Sequence, residues 1–330
     1  MNNPAETKKT GKKLSRAIKA ALSALVLAVI FTKIDFNALL RSFSAANPRW
    51  ILVAVCINFT ESFLLAAIWW RTLNVKGRQI PLWPVIRVQF VSNFLGFVMP
   101  STMGPDLMKV YGLARYMDDW GEAISSLVVV RLAGHVTLFL IAAFAMTVFT
   151  ERLPHTPFME YLGFVMMAVA AFLLCGLLFS SVIMRWTKRF LDAAHRADTY
   201  GKLVRLYSLF VSYLTDPAVM MTLLTGTFLM QLVRIAYIYV ISLALGFSVD
   251  PAVFCIFVPI IIAALLLPVS LSGIGVREAS YVFLFSQVGL SMEQALSLSL
   301  LNFALDIAIM AAGGLVYWKE GLPKGSPGSP

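Results

Sequence analysis

Pro268-Val-Ser-Leu-Ser-Gly-Ile-Gly-Val-Arg-Glu278 interrupts an otherwise apolar region, and its reading decides the rest of the chain. Residues 252–267 before it and 279–290 after it are apolar. Pro268 and the small polar residues Ser270 and Ser272 break a helix. Gly273 and Gly275 let the backbone take positive φ or approach a neighbour closely. Arg277 and Glu278 follow at once. Within a bilayer, backbone that is not helical must be buried in protein or line a wet cavity. Two readings are open: an ordinary loop between two spans, or a substrate site at the mouth of a re-entrant hairpin.

The composition places that stretch in a membrane. Of 330 residues, 59% are hydrophobic and only 13% charged, where a soluble domain is about one quarter charged. Mean hydropathy is +0.80. The formal charge of +10 fits basic loops facing anionic lipid, and no nucleic-acid signature accompanies it. Cys56, Cys175 and Cys255 lie in apolar runs without metal spacing, and His135, His155 and His195 are far apart. Neither disulfides, a metal nor any other cofactor is expected.

Working outward, residues 1–16 form a basic N-terminus and 17–34 a first apolar span with no small-residue cleavage site at its exit. Residues 50–70 make a second span, anchored by Trp50 and Trp70 and carrying Asn58 and Glu61 on one face. Arg71, Lys76, Arg78 and Arg87 follow. Residues 85–100 are apolar but end in a second broken turn, Pro100-Ser-Thr-Met-Gly-Pro-Asp-Leu-Met-Lys109. Further spans are expected at 123–149 (with Arg131 and His135), 161–183, 219–245 (with Gln231 and Arg234) and 295–318 (with Asn302 and Asp306). The mixed-charge connector 185–216 reads as helix lying on the membrane surface, and the Gly/Pro/Ser-rich tail 319–330 as disordered. Residues 17–318 are one membrane domain.

Charge then counts the crossings. If 85–120 and 252–290 are re-entrant hairpins, six full spans remain. The basic segments 1–16, 71–87 and 185–216 and the tail then share the cytoplasmic side, as basic loops should. The mildly basic loop 32–49 is the weak point of this count. In both broken turns a cation stands nine residues after a proline, at Lys109 and at Arg277. Three spans separate the turns, so the second copy is upside down, the pattern of secondary transporters. The expected fold is an all-α polytopic membrane protein with about six full transmembrane helices and two inverted re-entrant helical hairpins.

The stretch 267–279 resembles the P-x-S-x-x-G-x-G-x-R-E signature of the lysylphosphatidylglycerol synthase transmembrane region, or flippase-like, family. Val98-Met-Pro-Ser-Thr-Met-Gly-Pro-Asp-Leu-Met-Lys109, followed by Ser125-Ser-Leu-Val-Val-Val-Arg131, is similar to its first motif. The likeness covers roughly residues 15–318. Pro105 stands where a second glycine is usual and Lys109 where arginine is usual; lysine keeps the charge but loses bidentate phosphate binding. The resemblance implies a domain of the cell membrane that moves an anionic phospholipid or lipid-linked head group between leaflets. The soluble aminoacyltransferase domain fused to some members is not found here, so lysyl transfer is not expected.

Each charged residue in a span has a functional and a structural reading. Arg277 and Glu278 point in different directions on a helix, so Arg277 grips a head-group phosphate near a helix N-terminus while Glu278 pairs elsewhere or caps. Alternatively the two tie the turn to a neighbouring span. Arg131 and Arg234 each cost at least ~2.5 kcal/mol at mid-membrane and need partners, for which Glu61 and Asp306 are the candidates. Asp106 reads as the cap of the helix after Pro105, with direct substrate contact as the alternative; His135 reads as packing, with proton coupling as the alternative. The expected substrate-binding set is Arg277, Glu278, Arg131, Arg234, Lys109, Ser270, Gly273, Gly275, Glu61 and Asp306. Competing functions are a membrane-embedded enzyme using Glu61, Asp306 or Glu278 as base, and an accessory subunit for a separate lipid-modifying enzyme. No ATP site is present, and the sequence leaves the oligomeric state open.

Overall fold

The computed structural model describes residues 35–75, 77, 79–99, 103–149, 161, 165, 168–169, 197–266 and 273–322. The expected span at 17–34, nearly all of that at 161–183, the basic N-terminus and most of the tail lie outside the described residues, as do the turn tips 100–102 and 267–272, which include Ser270.

All regular structure among the described residues is helical. The helices are α1 (Phe36–Ser44), α2 (Pro48–Val75), α3 (Leu82–Val98), α4 (Gly104–Met117), α5 (Trp120–Val148), α6 (Ala197–Thr215), α7 (Pro217–Ala244), α8 (Pro251–Leu266), α9 (Val276–Ser286) and α10 (Met292–Glu320). Four of them, α2, α5, α7 and α10, are long and apolar enough to cross a membrane, and they fall on four of the six expected spans. The chain is an all-α polytopic membrane protein.

Helix ends follow local chemistry. Asp119 caps α5 through the Glu122 amide, Asp216 caps α7 through the Ala218 and Val219 amides, and Ser291 caps α10 through the Gln294 amide. The stretch 32–49, expected as a loop, contains the short helix α1, capped by Asp35. Its Leu39 is buried against Leu296 of α10. The connector helix α6 is packed rather than simply laid on a surface: Ser125 Oγ on α5 donates to the Leu206 carbonyl, and Tyr213 is fully buried.

The two interrupted regions are helical hairpins. At 1.5 Å per residue, α3, α4, α8 and α9 are about 25, 21, 24 and 16 Å long, short of a bilayer core of about 30 Å. The first hairpin opens on the face where α2 ends. There Trp70 Nε1 and Asn74 Nδ2 donate to the Ile80 carbonyl, and Arg87 Nε donates to the Gly321 carbonyl at the end of α10. The second opens on the opposite face, where Asn47 N donates to the Ala244 carbonyl and α10 begins.

Packing repeats this inversion. α5, which follows the first hairpin, packs on its second arm α4 and on the other hairpin's first arm α8. α10, which follows the second hairpin, packs on α9 and on α3. α2 and α7, which precede the two hairpins, lie against each other. The unit α2–α5 is therefore repeated upside down as α7–α10.

Two apolar clusters, one toward each face, hold the bundle. One includes Trp69, Leu73, Val88, Leu113, Val129 and Leu223; the other includes Ile141, Ile241, Phe254, Phe257, Phe285 and Leu298. Between them each long helix turns polar at its middle. Glu61 is the fourteenth of 28 residues in α2, and Asp306 the fifteenth of 29 in α10.

Candidate functional site

Residues flanking the turns of both hairpins line one cavity of about 440 Å³ at this mid-helix level. Pro105, Asp106 and Lys109 reach it from the first hairpin, and Leu265, Gly273 and Arg277 from the second. Arg131 and His135 come from α5, Arg234 from α7, and Phe303 and Asp306 from α10. A second cavity of about 230 Å³ shares Arg234, Arg277 and Asp306 and adds Glu61, Asn58, Tyr237, Tyr281 and Asn302. Of the ten expected binding residues, Glu278 stands one contact behind this lining, Gly275 sets the turn, and Ser270 lies outside the described residues.

The first hairpin closes by backbone contact. A Cβ on Gly96 would overlap Pro105, and one on Gly104 would meet the Gly96 carbonyl oxygen at 2.5 Å. This brings the start of α4 beside the end of α3 and aims its first turn at α5. The expectation that Asp106 caps α4 fails. Met103 occupies the cap position, with no side-chain capping hydrogen bond to the helix start. Asp106 forms an ion pair with Arg131, and its other oxygen stands 3.8 Å from Lys109 Nζ. Asp106, not Asp306, is thus the partner of Arg131. The signal was present in the sequence: an acid at i and a cation at i+3 in the first turn, opposite a span arginine that needed a counter-charge.

The second tip is held differently. Gly273 and Gly275 have φ of 80° and 86°, which an L side chain resists. Glu278 turns back to the helix start, where its Oε2 accepts from the Gly275 amide at 2.6 Å. Its Oε1 accepts from Arg277 Nε at 3.0 Å and Nη2 at 2.7 Å. The expectation that these neighbours point apart fails, because Glu278 curls toward the N-terminus and the long Arg277 side chain follows it. Arg277 also lies over the Phe303 ring, 4.3 Å from its centroid.

The long helices complete the lining. Glu61, one of the two candidate counter-charges, takes Arg234 Nε at 2.7 Å and Nη2 at 2.5 Å. Gln231 bridges Arg234 to α5: its Oε1 accepts from Arg234 Nη1, and its Nε2 donates to the Gly134 carbonyl at 2.7 Å. His135 Nδ1 donates to the Arg131 carbonyl at 2.6 Å, which fits its packing reading. Asn58 Nδ2 donates to Tyr237 Oη at 3.1 Å and to Asp306 Oδ1 at 3.2 Å. Asn302 Nδ2 donates to Tyr281 Oη at 3.1 Å. The roles of Tyr237, Tyr281 and Phe303 escaped the sequence reading, since an aromatic in an apolar span carries no signal until its neighbours are known.

A family model for the lysylphosphatidylglycerol synthase TM region matches residues 16–314. The chain belongs to that family. The lysylphosphatidylglycerol synthase TM region assignment makes it a membrane protein of a lipid-related family, and the match spans both hairpins, α2, α5 and α7 and most of α10. No curated protein matches the chain. No group of three or more metal-ligating side chains occurs among the described residues.

Proposed function

We propose that this protein moves an anionic phospholipid or lipid-linked head group across the cell membrane through the central cavity. The carrying observation is that the residues flanking the turns of two inverted hairpins meet at one cavity lined by Lys109, Arg131, Arg234 and Arg277. The rim supports a lipid route. Phe97, Met103 and Leu266 line the cavity and are large, exposed apolar side chains, an edge suited to acyl chains that remain in lipid while the head group enters. Arg131 and Lys109 share one carboxylate, which leaves positive charge over for a phosphate. The family membership supports a lipid substrate.

Transport is favoured over lipid chemistry because Glu61 and Glu278, two of the acids an enzyme would use as base, are each tied to an arginine. We propose that the first hairpin opens on the cytoplasmic side. That face carries Arg71, Arg87, Arg115, Arg205 and Lys319, against Arg41 and Arg49 on the other. The test is leaflet-resolved movement of labelled phosphatidylglycerol in liposomes containing the purified protein. Faster exchange than in protein-free liposomes is expected, and Arg131→Ala slows it. Equal exchange with and without protein sinks the reading.

A further inference from the structure

The charges around the cavity balance in pairs until Asp306. Glu61 holds Arg234, Glu278 holds Arg277, and Asp106 is shared by Arg131 and Lys109. Asp306 forms no ion pair among the described residues; its Oδ1 accepts from the Asn58 amide. Four cations thus face four carboxylates, and the set is neutral only while Asp306 is ionised. Its neighbours are fixed on every side. α2 presents Asn58 and Glu61, α7 presents Arg234 and Tyr237, and α9 presents Arg277 and Tyr281, with Glu278 behind. Across the cavity stand Asp106, Lys109, Arg131 and His135. α3 brings no charge to this level, since its Arg87 binds carbonyls at the far end of α10.

A phosphate entering beside Lys109 and Arg131 adds one negative charge to a set that, among the described residues, is already neutral as a whole. In a low-dielectric site an uncompensated charge is costly, and the group able to remove it is the carboxylate without a cation partner. Asp306 lines both cavities, so it meets water and head group alike. We infer that Asp306 is a proton site, taking up one proton as an anionic head group enters and releasing it as the head group leaves. The inference rests on the head-group reading above and gives it an energy source, the proton gradient.

Dicyclohexylcarbodiimide, which modifies protonated carboxyl groups within membranes, reads this state independently of transport. The full chain in phosphatidylglycerol or phosphatidylcholine liposomes is labelled at acidic and alkaline pH, and the modified peptide is found by mass spectrometry. Labelling at Asp306 is expected to be several-fold greater in phosphatidylglycerol than in phosphatidylcholine, to fall at alkaline pH, and to vanish in Asp306→Asn, which keeps the shape needed by Asn58. Inorganic phosphate added to phosphatidylcholine liposomes is expected to leave labelling low; an equal rise would overturn the lipid as source of the phosphate. An Asp306 that is unlabelled, or labelled alike at both pH values or in both lipids, overturns the proton site. If labelling responds as expected while no labelled lipid crosses the membrane, the proton site stands and the transport reading falls.

Discussion

The two hairpins occupy equivalent places in the inverted repeat, yet they hold their charges in opposite ways. The second keeps Arg277 and Glu278 to itself: the acid binds both its neighbour and the helix start, and the pair is nearly buried, with side-chain exposures of 11% and 3%. The first sends Asp106 outward to Arg131 on α5 and leaves Lys109 at the edge of that pair. One tip is a closed structural unit, the other an open electrostatic one. The lesson is that the stronger sequence motif marks the more structural tip, while the weaker motif carries an ion pair more open to the cavity, with Asp106 23% and Arg131 37% exposed.

Backbone contact offers the largest way to break this comparison. Gly96→Val drives a side chain into the Pro105 backbone, which cannot yield, and no monodisperse protein is expected on size-exclusion chromatography. Gly273→Ala imposes strain of about 1–3 kcal/mol at φ 80°, but its Cβ meets only the flexible end of Leu265, so the protein survives with a lowered melting temperature. If the two variants behave alike, the first hairpin is not the tighter one.

The acids give the next effect. Glu278→Gln leaves Arg277 without its charge partner in a nearly closed site and should destabilise by about 3–5 kcal/mol. Asp106→Asn should cost less in thermal stability, since Arg131 is 37% exposed to the cavity, yet alter lipid exchange more. Lys109→Ala removes a single phosphate contact and should slow phosphatidylglycerol movement roughly tenfold, equivalent to ~1.4 kcal/mol of a charged hydrogen bond. The assignment of one structural and one open tip fails if Glu278→Gln is as stable as Asp106→Asn.

Much of this was legible in the sequence. Hydropathy placed the four described spans, because a bilayer demands long apolar helices. The echo between Lys109 and Arg277 gave the inversion. Partnerships were harder, because a carboxylate's partner depends on which helix face turns toward it. Charge alone named Glu61 and Asp306 as candidate partners for Arg131 and Arg234, and the structure pairs Glu61 with Arg234 because α2 and α7 face each other. Asp106 was misread as a cap because first-turn acids usually serve the helix dipole, and here the close approach of Gly96 and Gly104 aims it at α5 instead. Arg277 and Glu278 were separated by a rule for helix interiors that does not hold at a helix start.

The smallest effects test the repeat itself. Asn58 and Gln231 each stand three residues before the central charge of their helix, Glu61 on α2 and Arg234 on α7. Their partners differ. Gln231 joins Arg234 to the Gly134 carbonyl, a purely structural bridge, whereas Asn58 supplies the hydrogen bond to Asp306. Gln231→Met and Asn58→Leu should each cost about 1 kcal/mol in thermal unfolding, the loss of an ordinary buried hydrogen bond. Only Asn58→Leu takes a donor from the Asp306 carboxylate, so only that variant should increase carbodiimide labelling at Asp306. Equal labelling in both would mean that Asn58 serves packing alone and that the two halves differ less at mid-membrane than their partners suggest.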